Sequence, residues 1–260
     1  MSRDRQEAVP APHPVAQASR LCSYYTMHHS VISIGALAAN PLWGERDPVR
    51  TGHATTVLVR TEAEPGGPTV NLLIDPALPP DALAARLRER ANMGPEDITH
   101  VFLTSFQPDV RRALPAFERA RWLLSEAERE AVGVPLAEGL KRLMSNFEDR
   151  DEQTEEILRT DIAILQRCEP APDRIAEGVD LFPLPGITPG CCGLLLSGRE
   201  TTLACGDAVA TAQHLVEGKV LPGAHDVEQA RESFSEAVEI ADLLIPGRDN
   251  ITINPLRRAF

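Results

Sequence analysis

An excess of positive charge is missing from this sequence. Its 26 Lys and Arg stand against 38 Asp and Glu, which gives a net charge of -12 and a pI near 5.1. Nucleic acids and anionic membranes need basic patches, so neither is expected as a partner. No apolar run approaches the roughly 20 residues of a membrane span, and the N-terminus lacks the apolar core of a signal peptide. These absences predict a cytoplasmic protein.

Cysteine is scarce, and histidine lacks ligand spacing. Five cysteines in 260 residues are too few for a disulfide scaffold, and their number is odd. Zinc-finger spacing is absent, so we interpret them as reduced thiols. No two histidines have the His-x-x-x-His spacing of a metal-binding helix. His28, His29 and His53 can approach a ligand cleft, but the sequence favours surface or structural roles for them.

Apolar residues, in contrast, are plentiful enough for a sizeable core, since 43% of the chain is hydrophobic. Residues 1–20 are rich in Pro, Ala and charge and show no periodicity, which predicts a flexible tail over residues 1–25. Residues 26–260 are expected to form a single domain.

Beyond the tail, β-rich runs alternate with helical patterns. Helices are predicted over residues 79–93 and 227–240, and a pair of amphipathic helices is expected as an insertion over about 126–168. Ser125 and Glu128 have the spacing of a capping box at the start of that insertion. Such an order indicates two packed β-sheets with helices outside. The strands are predicted over residues 31–36, 55–61, 69–75, 98–103, 121–124, 179–184, 194–196, 201–205 and 243–245.

Several predicted strands close on an acidic residue. The apolar run from residue 101 stops at a polar turn that contains Asp109, and two other runs end on Asp75 and Asp207. An acidic side chain just past a buried strand is a common position for chemistry. Cys205 and Asp207 are two residues apart, so an extended strand would place them on one face.

These phrases, in this order, resemble the metallo-β-lactamase fold superfamily over residues 31–250. The approach to its metal loop is matched by DITHVFLT at 97–104, and its Pro-Gly-His-Thr-Pro-Gly turn by PGITPG at 185–190. Its Gly-Asp is matched by CGD at 205–207, and its last turn by IPGRDN at 245–250. The resemblance implies an α+β fold, an αββα sandwich of two mixed β-sheets flanked by helices. It also implies hydrolysis by one or two metal ions, usually zinc, in a cleft at one edge of the sandwich.

The site positions implied by the resemblance have mostly lost their metal ligands. Only Asp109 and Asp207 keep ligand character, and two carboxylates hold a hard cation weakly rather than a zinc pair. We therefore expect no metal cofactor, the alternative being one divalent ion on Asp109 and Asp207 with help from Cys205 or a remote His. The replaced histidines correspond to Ser105, Gln107 and Val110 in the loop, Ile187 in the next turn and Arg248 in the last.

Two convergent carboxylates in a half-buried cleft need a compensating charge. We hypothesise that the Arg248 guanidinium replaces the metal charge by pairing with Asp207, Asp109 or both; the alternative is that Arg248 points to solvent from its turn. Cys205 is either a thiolate near Asp207 or, as the sequence favours, a small buried apolar residue. Ser105 lacks a nucleophile elbow and an identifiable base.

The sequence thus predicts a bacterial metallo-β-lactamase-fold protein with a degenerate metal site. It would be a non-catalytic binding or scaffold module, or a pseudoenzyme that keeps a cleft for a small-molecule ligand or a protein partner. The alternative is a hydrolase of ester, thioester or lactone substrates that uses a repurposed single-metal or metal-free site. The helical pair at 126–168 would cover the cleft or form a homodimer interface.

Overall fold

The computed structural model describes residues 27–145 and 151–257. The tail predicted over residues 1–25 lies outside them. Two six-stranded β-sheets pack face to face, and helices cover the outer face of each. No helix within the described residues is long and apolar enough to cross a membrane. The predicted αββα sandwich of two mixed sheets is confirmed.

The first sheet is antiparallel at one side and parallel at the other. The β1–β2–β3 pairs are antiparallel, and β3 to β6 are parallel neighbours. Its strands, in spatial order, are β1 (His28–Ser33), β2 (Thr56–Glu62), β3 (Thr69–Ile74), β4 (His100–Leu103), β5 (Arg121–Leu124) and β6 (Glu169–Pro170).

The second sheet is antiparallel except for one parallel pair, β10 with β11. It runs in reverse order from β12 to β7. Its strands are β7 (Arg174–Ala176), β8 (Val179–Pro183), β9 (Cys192–Ser197), β10 (Thr201–Gly206), β11 (Leu243–Pro246) and β12 (Thr252–Ile253).

Within the described residues five α-helices flank the sheets, and the predicted helical pair is present as two of them. The exposed apolar side chains on this pair are Val134, Met144 and Ile157, and the homodimer predicted from it stays a prediction. The helices are α1 (Pro80–Ala91), α2 (Glu126–Ser145), α3 (Glu152–Arg167), α4 (Ala212–Glu217) and α5 (Val227–Ile240).

Strand alternation explains the layers. Leu72 and Ile74 on β3 pack between the sheets, whereas Leu73 packs under the helices on the outer face. A third cluster, which includes Leu203 and Ala237, joins β10 to α5. At roughly 25 cal/mol per Å² of buried apolar surface, these clusters supply the main driving force for folding.

The first strand lies earlier than predicted. Residues 31–36 were expected to be extended, but β1 covers His28–Ser33 and its register shifts between Val31 and Ser33. The chain leaves the sheet there because Gly35 packs against the Ala54–Thr55 backbone, and its N–H donates to Thr55 Oγ1 at 3.0 Å. Ordinary β propensity at 34–36 is overridden by this contact.

Candidate functional site

Three loops meet at one end of the sandwich, where the strands that precede them finish. Asp109 follows β4, Asp207 follows β10, and Arg248 follows β11. Strands β10 and β11 are parallel and pair Gly206 with Pro246. Their following residues therefore emerge side by side, which brings Asp207 next to Arg248 although 41 residues separate them.

Arg248 lies between the two carboxylates. Its Nε donates to Oδ1 of Asp207 at 2.7 Å and its Nη2 to Oδ2 at 2.6 Å, a two-point pair, while Nη1 donates to Oδ2 of Asp109. Arg248 and Asp207 are only 6% and 7% exposed. Burial opposes the charged form, yet the charges of Asp207 and Asp109 hold the Arg248 pKa above its ordinary value. We call these three residues the Arg248 triad.

The backbone before β2 holds two of these loops together. The Ala54 N–H donates to the Asp109 carbonyl at 3.1 Å, and the Thr55 N–H donates to the Gly247 carbonyl at 2.7 Å. The Thr55 hydroxyl adds a bond to the Asp249 carbonyl at 2.8 Å. One short segment thus fixes the relative positions of Asp109 and Arg248.

Asp75 supports the start of the loop from below. It is 2% exposed, and its two carboxylate oxygens accept hydrogen bonds from the Thr104 N–H and hydroxyl, each at 2.8 Å. Burial raises its pKa to about 7, and the Thr104 bonds oppose the shift. Its φ of +52° lies in the left-handed region, which aspartate tolerates better than most residues. Asp75 therefore positions the loop and does not line the cleft.

Glu128 on α2 ties the loop after β4 to the turn at residues 185–190. This carboxylate is 1% exposed and accepts bonds from the Phe106 N–H at 3.0 Å, the Thr188 hydroxyl at 2.7 Å and the Gly190 N–H at 3.1 Å. Only half of the predicted capping box forms: the Glu128 N–H donates to Ser125 Oγ. The carboxylate leaves the cap because unsatisfied N–H groups of the loops are within reach.

A second contact with the helical pair was also not predicted. Arg111 is 7% exposed, donates from Nε to the Phe106 carbonyl at 3.0 Å and pairs through Nη2 with Asp161 on α3 at 2.7 Å. Its guanidinium lies 4.1 Å from the centre of the Phe106 ring. The two helices thus brace the loop from the side away from the cleft. The only sign of this contact in the sequence is that Arg111 follows the apolar loop residue Val110.

Five of the seven predicted site residues line one cavity of about 290 Å³: Gln107, Asp109, Ile187, Asp207 and Arg248. The other two do not. Ser105 is 4% exposed, and Val110 is 1% exposed within the core beneath the helices. Val110 fills space in the core because its loop turns inward after Asp109.

Cys205 faces away from the cleft. It is fully buried in the cluster between β10 and the outer helices, and its Sγ donates to the Leu203 carbonyl at 3.3 Å. The expected shared face with Asp207 does not form, because β10 ends at Gly206, whose φ of +54° interrupts the alternation. Burial raises the pKa of the Cys205 thiol, and that of Cys192 to about 11. These thiols are protonated at neutral pH.

The histidines of the described ranges do not line the cavity. His53 contacts the Ile34 and Thr51 carbonyls, and His214 contacts the Thr211 hydroxyl at 2.8 Å. His225 approaches only through its N–H, which donates to the Ile187 carbonyl. Within residues 27–145 and 151–257, no group of three or more His, Cys, Asp or Glu side chains can hold a metal ion.

The donors in the cleft do not fit a di-metal centre. Both oxygens of Asp207 and one of Asp109 already accept bonds from a permanent cation. A metal ion beside them would meet the guanidinium charge at close range, with Ile187 on the wall where an imidazole is needed. A metal would have to displace Arg248 before it could bind these carboxylates.

Solved structures share this architecture. A candidate metallo-β-lactamase from Thermotoga maritima has 17% identity and a TM-score of 0.61, covering 87% of this chain and 99% of its own. AidC, a dizinc quorum-quenching lactonase, has 17% identity and a TM-score of 0.52, covering 82% and 80%. AbOPH, a hydrolase of the β-lactamase superfamily, has 12% identity and a TM-score of 0.54, covering 91% and 93%.

No protein-family model and no curated protein sequence matches the chain. Identities this low carry the fold and leave activity open. The two packed mixed sheets with outer helices and these structural matches agree with the fold that the resemblance implies. The chain has the metallo-β-lactamase fold.

Proposed function

We propose that this protein is a non-catalytic, metal-independent binding module that keeps the cleft of its fold. The Arg248 triad carries the proposal, because a buried guanidinium bonds to both carboxylates that the resemblance assigns to metal binding. A fixed Arg supplies positive charge without the open coordination position that activates water. A cytoplasmic location remains part of this proposal, as the sequence predicts.

A hydrolase of esters, thioesters or lactones is the second candidate. The comparisons favour it, because AidC is a lactonase and AbOPH is a hydrolase. The side chains of the cleft favour the binding module instead. In the hydrolase, one divalent ion would displace Arg248 from Asp109 and Asp207, or Asp109, which is partly open to solvent, would act without metal.

Metal content and turnover separate the two candidates. The full chain is expressed in medium with added zinc or manganese and purified without chelator. Its metal content is then measured, and its activity is assayed on ester, thioester and lactone substrates. Asp109→Asn and Asp207→Asn serve as matched variants, with circular dichroism to check folding. The binding module predicts substoichiometric metal and no turnover above the variants.

Stoichiometric metal that is lost in Asp109→Asn or Asp207→Asn would overturn the binding module. So would turnover that either variant abolishes while its fold is kept. Arg248→His, which restores an imidazole at the last ligand position, is the informative gain-of-function control. Metal uptake only in that variant would identify Arg248 as the residue that keeps metal out.

A further inference from the structure

The cavity beside the Arg248 triad has an apolar wall and one polar corner. Leu37, Ile187, Leu221 and Pro222 contribute apolar surface, and the polar corner contains Gln107 and Asp109. Its volume of about 290 Å³ is at the small end of the range for small-molecule sites. A ligand that fits must be compact and must combine an apolar part with a polar group.

The charges of the cavity lining indicate which polar group a ligand carries. Two carboxylates stand against one guanidinium, and no other charged side chain of the described residues lines the cavity. The lining therefore has one net negative charge. An anion would approach a guanidinium whose charge is already matched by two carboxylates, so anions are disfavoured.

Asp109 has one carboxylate oxygen that is available as a hydrogen-bond acceptor. Its Oδ2 accepts from Arg248 Nη1, but its Oδ1 accepts no hydrogen bond from any residue in the described ranges. The side chain is 35% exposed, in contrast to 7% for Asp207. The half-buried Gln107 side chain lines the same cavity and provides an amide oxygen as a second acceptor.

We propose that this cavity binds a small organic ammonium ion with an apolar body. The ammonium donates to Asp109 Oδ1 and to the Gln107 amide oxygen, and the body lies against Ile187 and Leu221. A cation there neutralises the net charge of the lining. Its hydrogen bond to the Asp109 carboxylate joins two ionised groups and is therefore strong. This inference rests on the proposed binding function and names its ligand class.

Three probes that share a phenyl ring and differ little in size test the proposal: benzylamine as the cation, benzyl alcohol as the neutral analogue and benzoate as the anion. Binding to the full chain is followed by saturation-transfer NMR and calorimetry at neutral pH. We expect saturable binding of benzylamine, at least about tenfold tighter than that of benzyl alcohol, and none of benzoate. Equal or tighter binding of benzoate, or no binding of benzylamine up to millimolar concentration, overturns the ligand class.

Variants of the lining residues test whether benzylamine binds in this cavity. Asp109→Asn should weaken benzylamine binding by about tenfold or more and leave benzyl alcohol unchanged, while Leu221→Ala should weaken both. Asp47→Asn, an exposed acid outside the cavity lining, is the control. If Asp109→Asn leaves benzylamine affinity unchanged, the proposed contact is wrong. Failure here differs from failure of the binding module, which only stoichiometric metal or turnover overturns.

Discussion

Gly247 lies directly against Asp207. A Cβ added at Gly247 would stand 2.6 Å from Oδ1 of Asp207 and 2.6 Å from the Gly206 carbonyl. Both the carboxylate and the backbone are fixed, one by Arg248 and the other by the parallel pairing of β10 with β11. The absence of a side chain at residue 247 is therefore a condition for the Arg248–Asp207 pair.

Gly247→Ala should lower the free energy of unfolding by about 1–3 kcal/mol, because Asp207 must shift away from Arg248. Gly139→Ala in α2 is a matched control that should change the free energy of unfolding in the opposite direction. Its Cβ would meet Leu158 at an ordinary 3.6 Å, and replacing a helical glycine should add about 0.5–1 kcal/mol. Urea denaturation measures both. Equal effects of the two variants would contradict the steric argument.

Arg248→Ala should cost about 3–5 kcal/mol, because it leaves the Asp207 carboxylate buried without a partner. Arg46→Ala, on an exposed loop residue, should change stability by less than about 0.5 kcal/mol. The double variant Arg248→Ala/Asp207→Asn should recover part of the loss. A loss below about 1 kcal/mol in Arg248→Ala would mean that the triad is not a structural charge replacement.

Glu128→Gln should cost about 2–3 kcal/mol, since an amide has one acceptor oxygen where the carboxylate uses two for three bonds. Glu130→Gln, on an exposed position of the same helix, controls for the change in charge. Chemical denaturation gives the two stabilities. In addition, hydrogen exchange of the Phe106 and Gly190 amides should accelerate only in Glu128→Gln. Unchanged exchange there would refute the tie between the loops.

Asp75 should make stability depend on pH. The pKa of Asp75 in the folded protein, about 7, exceeds the ordinary value of 3.8. Folding therefore takes up a proton at pH values between these two. Its contribution is then fully present below about pH 4 and declines as pH rises, by up to about 1.4 kcal/mol per pH unit, until it is lost above about pH 7. The stability difference between the wild type and Asp75→Asn, measured in urea from about pH 4 to 8, should fall accordingly. A difference that stays constant would contradict the raised pKa.

Local pattern was sufficient for much of the fold. The alternation in residues 69–74 separates Leu72 and Ile74 from Leu73, and the structure places them on the two faces that alternation requires. The short strands β6 and β7 were not predicted, because two- and three-residue strands have too few residues for periodicity. The predicted end of β1 at residue 36 was wrong because the contact of Gly35 with Ala54 and Thr55 is not local.

For the site, the sequence by itself determined which residues stand at the positions that the resemblance assigns to metal ligands: these include two acids and one arginine, and no imidazole. Arg248 was hypothesised as the partner of these acids, and the tertiary structure decided that it reaches Asp109 instead of pointing to solvent. It does so across 139 residues, and only after β4 and β11 have joined different sheets. The tertiary structure also decided that Glu128 leaves its helix cap for residues 22 and 60 positions away, and that Cys205 faces the helices. Such pairings depend on which buried polar groups lack partners once the sheets have packed, and local sequence carries no record of that.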